Sequence, residues 1–230
     1  MYTAPQIITN SLVLYLDAGN TKSYPGTGTT WYDRTDSLNA GVVNNATLVN
    51  GPTFNSGNKG SIVFDGIDDY VDFYAPNLGT TTTVEMWCKP LSLSNGMFFG
   101  WFAYDAWASG GIVGFNTSVN DIYGMSSTTV TNLGLLNNWK HYVFEMRSDV
   151  SYTNNKIYIN AENQILSQQR GSESESYRNF NNGLGRIASW RINLNFFMPM
   201  NCASFKVYNR ALTASEILQN YNAIRTRFGL

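Results

Sequence analysis

Short runs in which apolar residues fall at every second position, each closed by Gly, Asn, Asp or Pro, constrain this chain more than any other feature. A period of two is the signature of half-buried strands. The clearest case is Ser61 to Phe73, SIVFDGIDDYVDF. Ile62 and Phe64 alternate with Val63, Asp65-Gly66 breaks the run, and Val71 and Phe73 restart an apolar face. The expected unit is strand, acidic turn, strand, with Gly66 supplying backbone freedom in the turn.

The same pattern recurs along the chain. Leu12 to Asp17 is apolar on both faces, so this strand is expected to be covered on both sides. In Val84 to Lys89, Val84, Met86 and Cys88 face one way and Glu85, Trp87 and Lys89 the other, until Pro90 stops the strand. Gly110-Gly111 predicts a hairpin. Asp121 to Met125, Thr128 to Leu133, Trp139 to Met146, Lys156 to Asn160, Gly183 to Trp190 and Cys202 to Tyr208 read as further strands. Residues 164–182 read as an exposed polar loop. Near the end, Thr213 and Glu216 form a capping box ahead of Ile217, Leu218, Tyr221 and Ile224 on one helical face. Many short strands and one terminal helix predict an all-β fold, an antiparallel jelly-roll sandwich with one short C-terminal helix. The expected organisation is an arm over residues 1–10, one domain over 11–225 and a tail over 226–230. The arm reads as a strand finishing a sheet edge, or as a segment that packs on the domain or reaches a neighbour.

Composition excludes several classes of function. Charged residues are 13% of 230 and the net charge is −1, which provides no long-range steering toward polyanions. No Lys/Arg cluster with interleaved aromatics is present, so nucleic acid is not an expected partner. No apolar run is long enough to span a bilayer, and MYTAPQIITNSL lacks the basic and apolar segments of an export signal. The expectation is a protein made in the cytoplasm and not inserted in a membrane. Cys88 and Cys202 have no metal-type spacing and read as free, buried thiols.

Two groups of residues could carry chemistry. Asp65, Asp68 and Asp69 either hydrogen-bond the amides of their own turn or help to hold a hard cation, which prefers several oxygen ligands. Trp101, Tyr104, Asp105 and Trp107 lie in the most aromatic stretch, Met97 to Phe115. They either fill the core or present a stacking face with a carboxylate beside it, as a sugar site requires. No strand carries the paired carboxylates of glycoside hydrolysis. Glu85 stands alone, and His141 sits in an apolar strand with no nucleophile signature nearby. The chain therefore reads as a non-enzyme with no required cofactor.

The succession LVLYLDAGN, GPTF, SIVFDGIDDYV, VEMWCKP, NNWKHYVF, KIYIN, GRI and VYNRALTASEILQNYNA, covering Leu12 to Ala223, resembles the laminin-G-like, concanavalin-A-like jelly-roll family. Single-domain versions that end like NYNAIRTRFGL resemble virion proteins of tailed bacteriophages. The resemblance implies a virion structural protein, a capsid decoration or a head- or tail-fibre component, with other virion proteins as partners and homo-oligomers expected. The alternative it implies is a carbohydrate-binding receptor or adhesion module recognising bacterial surface glycans. A degenerate glycoside hydrolase is the weakest reading. Calcium, common in this fold, is the cofactor it implies at Asp65, Asp68 and Asp69. Two departures stand out: Ala161 where the family often has Gly, and Met200 where a loop Gly often precedes the last strand.

Overall fold

The computed structural model describes residues 5–35, 44–102, 104–116, 121–171, 180 and 183–230. Two antiparallel sheets face each other. Across the first lie Glu162–Asn163 (β14), Lys156–Ile159 (β13), Lys140–Arg147 (β12), Thr81–Pro90 (β7), Met200–Tyr208 (β17), Ser61–Phe64 (β5) and Thr53–Asn55 (β4). Leu12–Asp17 (β1) also pairs with β17. Across the second lie Ser167–Arg170 (β15), Ile122–Met125 (β11), Ile112–Asn116 (β10), Asp105–Ser109 (β9), Asn95–Gly100 (β8), Leu184–Ile187 (β16), Tyr70–Tyr74 (β6), Ala46–Val49 (β3) and Thr30–Trp31 (β2).

Alternation decides what lies between the sheets. Val84, Met86 and Cys88 point inward from β7, and Ala106 and Ala108 from β9. Phe64, Phe99, Phe115, Phe144 and Phe205 fill the space with them. The rings meet edge to face, as their quadrupoles favour; Phe99 and Phe144 have centroids 5.3 Å apart at 71°. Cys88 and Cys202 are cross-strand partners, both free and buried. Burial raises both thiol pKa values, that of Cys202 to about 12.

The outward face of the first sheet is covered as well. Helix Ala214–Ile224 (α2) begins at the capping box, with the Thr213 side chain accepting from Glu216 N and the Glu216 side chain accepting from Thr213 N. The tail docks instead of projecting. The Phe228 ring stacks on Trp87 at 4.5 Å, and Arg227 Nη1 donates to Asp17 Oδ1 at 2.7 Å. The arm forms no strand over residues 5–9. Ile7 and Ile8 pack against Leu12, Val143, Tyr158, Tyr208, Leu212 and Ile217, so of the alternatives for the arm, packing on the domain is the one observed.

Three readings require correction. The run expected as a strand at Thr128 to Leu133 contains the helix Ser127–Asn132 (α1), because Ser126 caps it and accepts from Thr129 N. The cap and the burial of Val130 outweigh the β preference of its threonines. Met200 does not stand in a loop; it opens β17, fully buried, opposite Phe64 and Pro90. Residues 164–182, expected as a polar loop, include the strand β15 paired to β11; residues 172–179 and 181–182 of the stretch lie outside those described.

Ala161 sits with Asn160 in the two-residue turn between β13 and β14, at φ +69 and +52. Such turns need positive φ at both central positions. An alanine there is strained by roughly 1–2 kcal/mol, offset in part by the entropy that glycine loses on folding. Ala161→Gly is expected to stabilise the protein by about 0.5–1 kcal/mol in urea unfolding. A loss of stability would show that the turn does not hold this conformation.

Candidate functional site

The acidic turn is the one predicted group that the fold brings together. Gly66 makes the turn feasible: its φ is +79, and a Cβ there would lie 2.7 Å from Pro199. Asp65 Oδ1 accepts from Ile67 N at 2.7 Å, and Asp69 Oδ2 accepts from Asp65 N at 3.1 Å. Asn50 Nδ2 donates to Asp68 O at 2.9 Å, tying the turn to its neighbour. One ligand oxygen from each of Asp65, Asp68 and Asp69 lies within 4.8 Å of the others. Asp65 and Asp68 are exposed and Asp69 is buried, with Ile67 protruding at 74% exposure. Burial, together with the charges of Asp65 and Asp68, raises the Asp69 carboxyl above its ordinary pKa despite the backbone hydrogen bond that lowers it.

This geometry satisfies both readings of the turn. One oxygen of Asp65 and one of Asp69 are committed to backbone amides, which leaves other oxygens free to face a cation. Three carboxylates are about half of the six to eight ligands that calcium takes, so the remainder would be carbonyls and water. A cation placed there would offset the burial that raises Asp69 and the repulsion from Asp65 and Asp68 that adds to it. If the turn holds calcium, the ion at about 100 times the dissociation constant would stabilise the protein by about 2.7 kcal/mol. Asp69→Asn is expected to abolish that gain while leaving stability in chelator unchanged or higher. A wild-type melting temperature indifferent to calcium would remove the site.

The aromatic segment behaves differently. Trp101 and Tyr104 are 0% exposed and belong to the inter-sheet core. The Tyr104 hydroxyl donates to Arg147 O at 2.9 Å. Asp105 and Trp107 leave β9 on the outer face of the second sheet, yet are only 1% and 3% exposed. Trp107 is packed by Phe196 at 5.6 Å and by the Arg170 guanidinium at 5.4 Å, and its Nε1 donates to Asn95 Oδ1 at 3.0 Å. Of the two readings of Trp101, Tyr104, Asp105 and Trp107, the exposed stacking face is therefore corrected: Asp105 and Trp107 leave β9 on the outer face, Trp101 and Tyr104 precede β9 and lie in or beside the inter-sheet core, and all four are buried.

Two arrangements were not anticipated. On the outer face of the second sheet, Arg186 donates to Asp72 Oδ1 at 2.9 Å and lies 3.9 Å over the Tyr70 ring. Cross-strand pairing of Arg186 with Asp72 creates this cluster, and register is invisible in a single sequence. On the outer face of the first sheet, Glu85 is fully buried beside Lys206 and His141. The one sequence signal for it was an isolated carboxylate, Glu85, on the strand face it shares with Trp87 and Lys89.

A sequence profile of the concanavalin A-like lectin/glucanases superfamily matches residues 65–218. No curated protein matches the sequence. Among solved structures, the receptor-binding domain of botulinum neurotoxin C/D mosaic serotype superposes with a TM-score of 0.63 at 12% identity, over 93% of this chain and 51% of that one. The ligand-binding domain of botulinum neurotoxin serotype D, in complex with N-acetylneuraminic acid, gives 0.60 at 11% identity, over 92% and 50%. Trypanosoma rangeli sialidase gives 0.62 at 14% identity, over 96% and 34%. This chain thus spans about half of each neurotoxin domain and a third of the sialidase. At these identities the likeness concerns the fold. With the profile covering more than half of its length, the chain belongs to the concanavalin A-like lectin/glucanases superfamily.

Proposed function

We propose that this lectin-like jelly roll is a glycan-binding module, not an enzyme, and that it reads its ligand at the loop end carrying Asp65, Asp68 and Asp69. The observation that carries this reading is the convergence of three carboxylates within 4.8 Å on a turn with two exposed members and a protruding Ile67. Carboxylates with a bound cation are suited to vicinal hydroxyls, and an adjacent apolar side chain to the face of a sugar ring. The serotype D neurotoxin domain in complex with N-acetylneuraminic acid supports glycans as the ligand class. Binding rather than hydrolysis is supported by the placement of Glu85 and His141, both closed off beneath the terminal helix.

In this proposal the module is carried on a bacteriophage particle, as a capsid decoration or fibre component, and meets bacterial surface glycans there. The terminal sequence Asn220 to Leu230 supports that setting through its likeness to phage proteins. The test is binding of purified protein to a panel of bacterial surface glycans, in calcium and in chelator. Saturable binding that falls in chelator and is lost in Asp68→Asn/Asp69→Asn, with the fold retained, is expected. A folded protein that binds no glycan overturns the reading. Stoichiometric copies in purified particles are expected from the virion setting, and their absence would remove it.

A further inference from the structure

The outer face of the first sheet holds a lysine, an asparagine and a glutamate in one closed compartment. Lys206 on β17 is the cross-strand partner of Glu85 on β7. Its Nζ donates to Glu85 Oε1 at 2.5 Å. Asn220, from α2, donates through Nδ2 to Glu85 Oε2 at 2.6 Å. One carboxylate therefore grips the amine and the amide with its two oxygens. Glu85, Lys206 and Asn220 are all 0% exposed. Asn220 Oδ1 accepts from the backbone N–H of Ile8 at 2.7 Å, and its Nδ2 also donates to the Tyr208 hydroxyl at 3.0 Å. His141 Nε2 lies 3.3 Å from Glu85 Oε1.

We infer that Lys206 and Asn220 are positioned to form an intramolecular amide crosslink, with Glu85 as the proton relay. Each requirement of that reaction has a residue in place. A lysine nucleophile must lose its proton, and Glu85 is the acceptor in contact with it. An amide carbonyl must be polarised, and the Ile8 N–H points at its oxygen, where charge develops. The leaving nitrogen must be protonated, and Glu85 touches that nitrogen too. Water must be kept away, and the compartment is closed.

The step balances without a further reactant. Glu85 takes a proton from the Nζ ammonium and becomes a neutral acid. The freed Nζ lone pair adds to Cγ of Asn220, moving the carbonyl electron pair onto Oδ1 against Ile8 N–H. Glu85 hands its proton to Nδ2, the carbonyl re-forms, and the Cγ–Nδ2 bond breaks with its electron pair on nitrogen. Ammonia leaves, and the surplus proton on Nζ passes back to Glu85. Before reaction, burial pushes the Glu85 carboxyl up, but Lys206 and His141 outweigh it and hold it at about 2. Afterwards the compartment contains a neutral amide and a neutral acid in place of a buried ion pair, a change that low dielectric favours. The crosslink ties α2 to the sheet beneath it.

Intact-mass spectrometry of the purified full-length chain decides the matter. The expected mass is the sequence mass less one ammonia, with a digest yielding a branched peptide that joins Lys206 to Asn220. Lys206→Met and Glu85→Gln are expected to restore the full sequence mass. Two results overturn the inference: a folded wild-type protein that keeps its full mass after prolonged warming, or an ammonia deficit without the branched peptide. The wild-type measurement suffices even if a variant fails to fold, and it is independent of whether any glycan binds.

Discussion

Trp101→Ala will lower stability by about 3–5 kcal/mol and leave the proposed glycan binding per folded molecule unchanged. Trp101 is the hub of an aromatic cluster, with centroids 5.8 Å from Phe73, 5.8 Å from Phe99 and 5.3 Å from Phe180, all in edge contact. Truncation removes an indole from a fully buried site that cannot close around the loss. In a chain of this size each kcal/mol shifts the melting temperature by roughly 2–4 °C, so a fall of about 6–20 °C is expected. Tyr104→Ala should behave in the same way, since it also deletes the hydroxyl bonded to Arg147 O. Calorimetry and binding on the same samples separate the two effects. A Trp101→Ala protein as stable as wild type would contradict the inward placement of this ring.

The contrast between the aromatic segment and the acidic turn shows what a single sequence can reveal. Period-two alternation located β5, β6, β7 and β12, because a strand sends successive residues to opposite faces and the two faces carry different side chains; β1 was located as a short run apolar on both faces. The capping box located α2 because its chemistry is local. Asp65, Asp68 and Asp69 were legible as a group because a tight turn keeps sequence neighbours together. Trp101 to Trp107 stayed open between core and stacking face for the opposite reason: a strand sends alternate residues to opposite faces, and composition does not say which faces are covered. The docking of Phe228 on Trp87, and of Arg227 on Asp17, was hidden in residues 226–230, which the sequence sets apart only as a tail. Threonines with strand preference at α1 gave way to one capping serine. The α1 miss is local, whereas long-range packing and pairing lie behind the docked tail and the meeting of Glu85 with Lys206 and Asn220.

Glu85→Ala will cost about 3–5 kcal/mol, because it leaves the Lys206 ammonium without its carboxylate in a site closed to water. The same change strips Asn220 Nδ2 of its charged acceptor and His141 of the oxygen 3.3 Å away. The damage is thus a set of abandoned polar groups more than a lost attraction. Pairing it with Lys206→Met tests that account. The double variant should recover most of the loss, since a lysine-sized apolar side chain against the emptied site needs no counter-charge. Chemical denaturation of the wild type, both single variants and the double variant gives the coupling between the two positions. A Glu85→Ala protein within about 1 kcal/mol of wild type would mean that Lys206 finds water or another partner, and that the compartment is open. Whatever gap persists between the double variant and wild type, once the charge has been removed, measures the Asn220 contacts and any covalent tie made through Lys206. The stability cycle and the mass measurement therefore constrain the same three residues from independent directions.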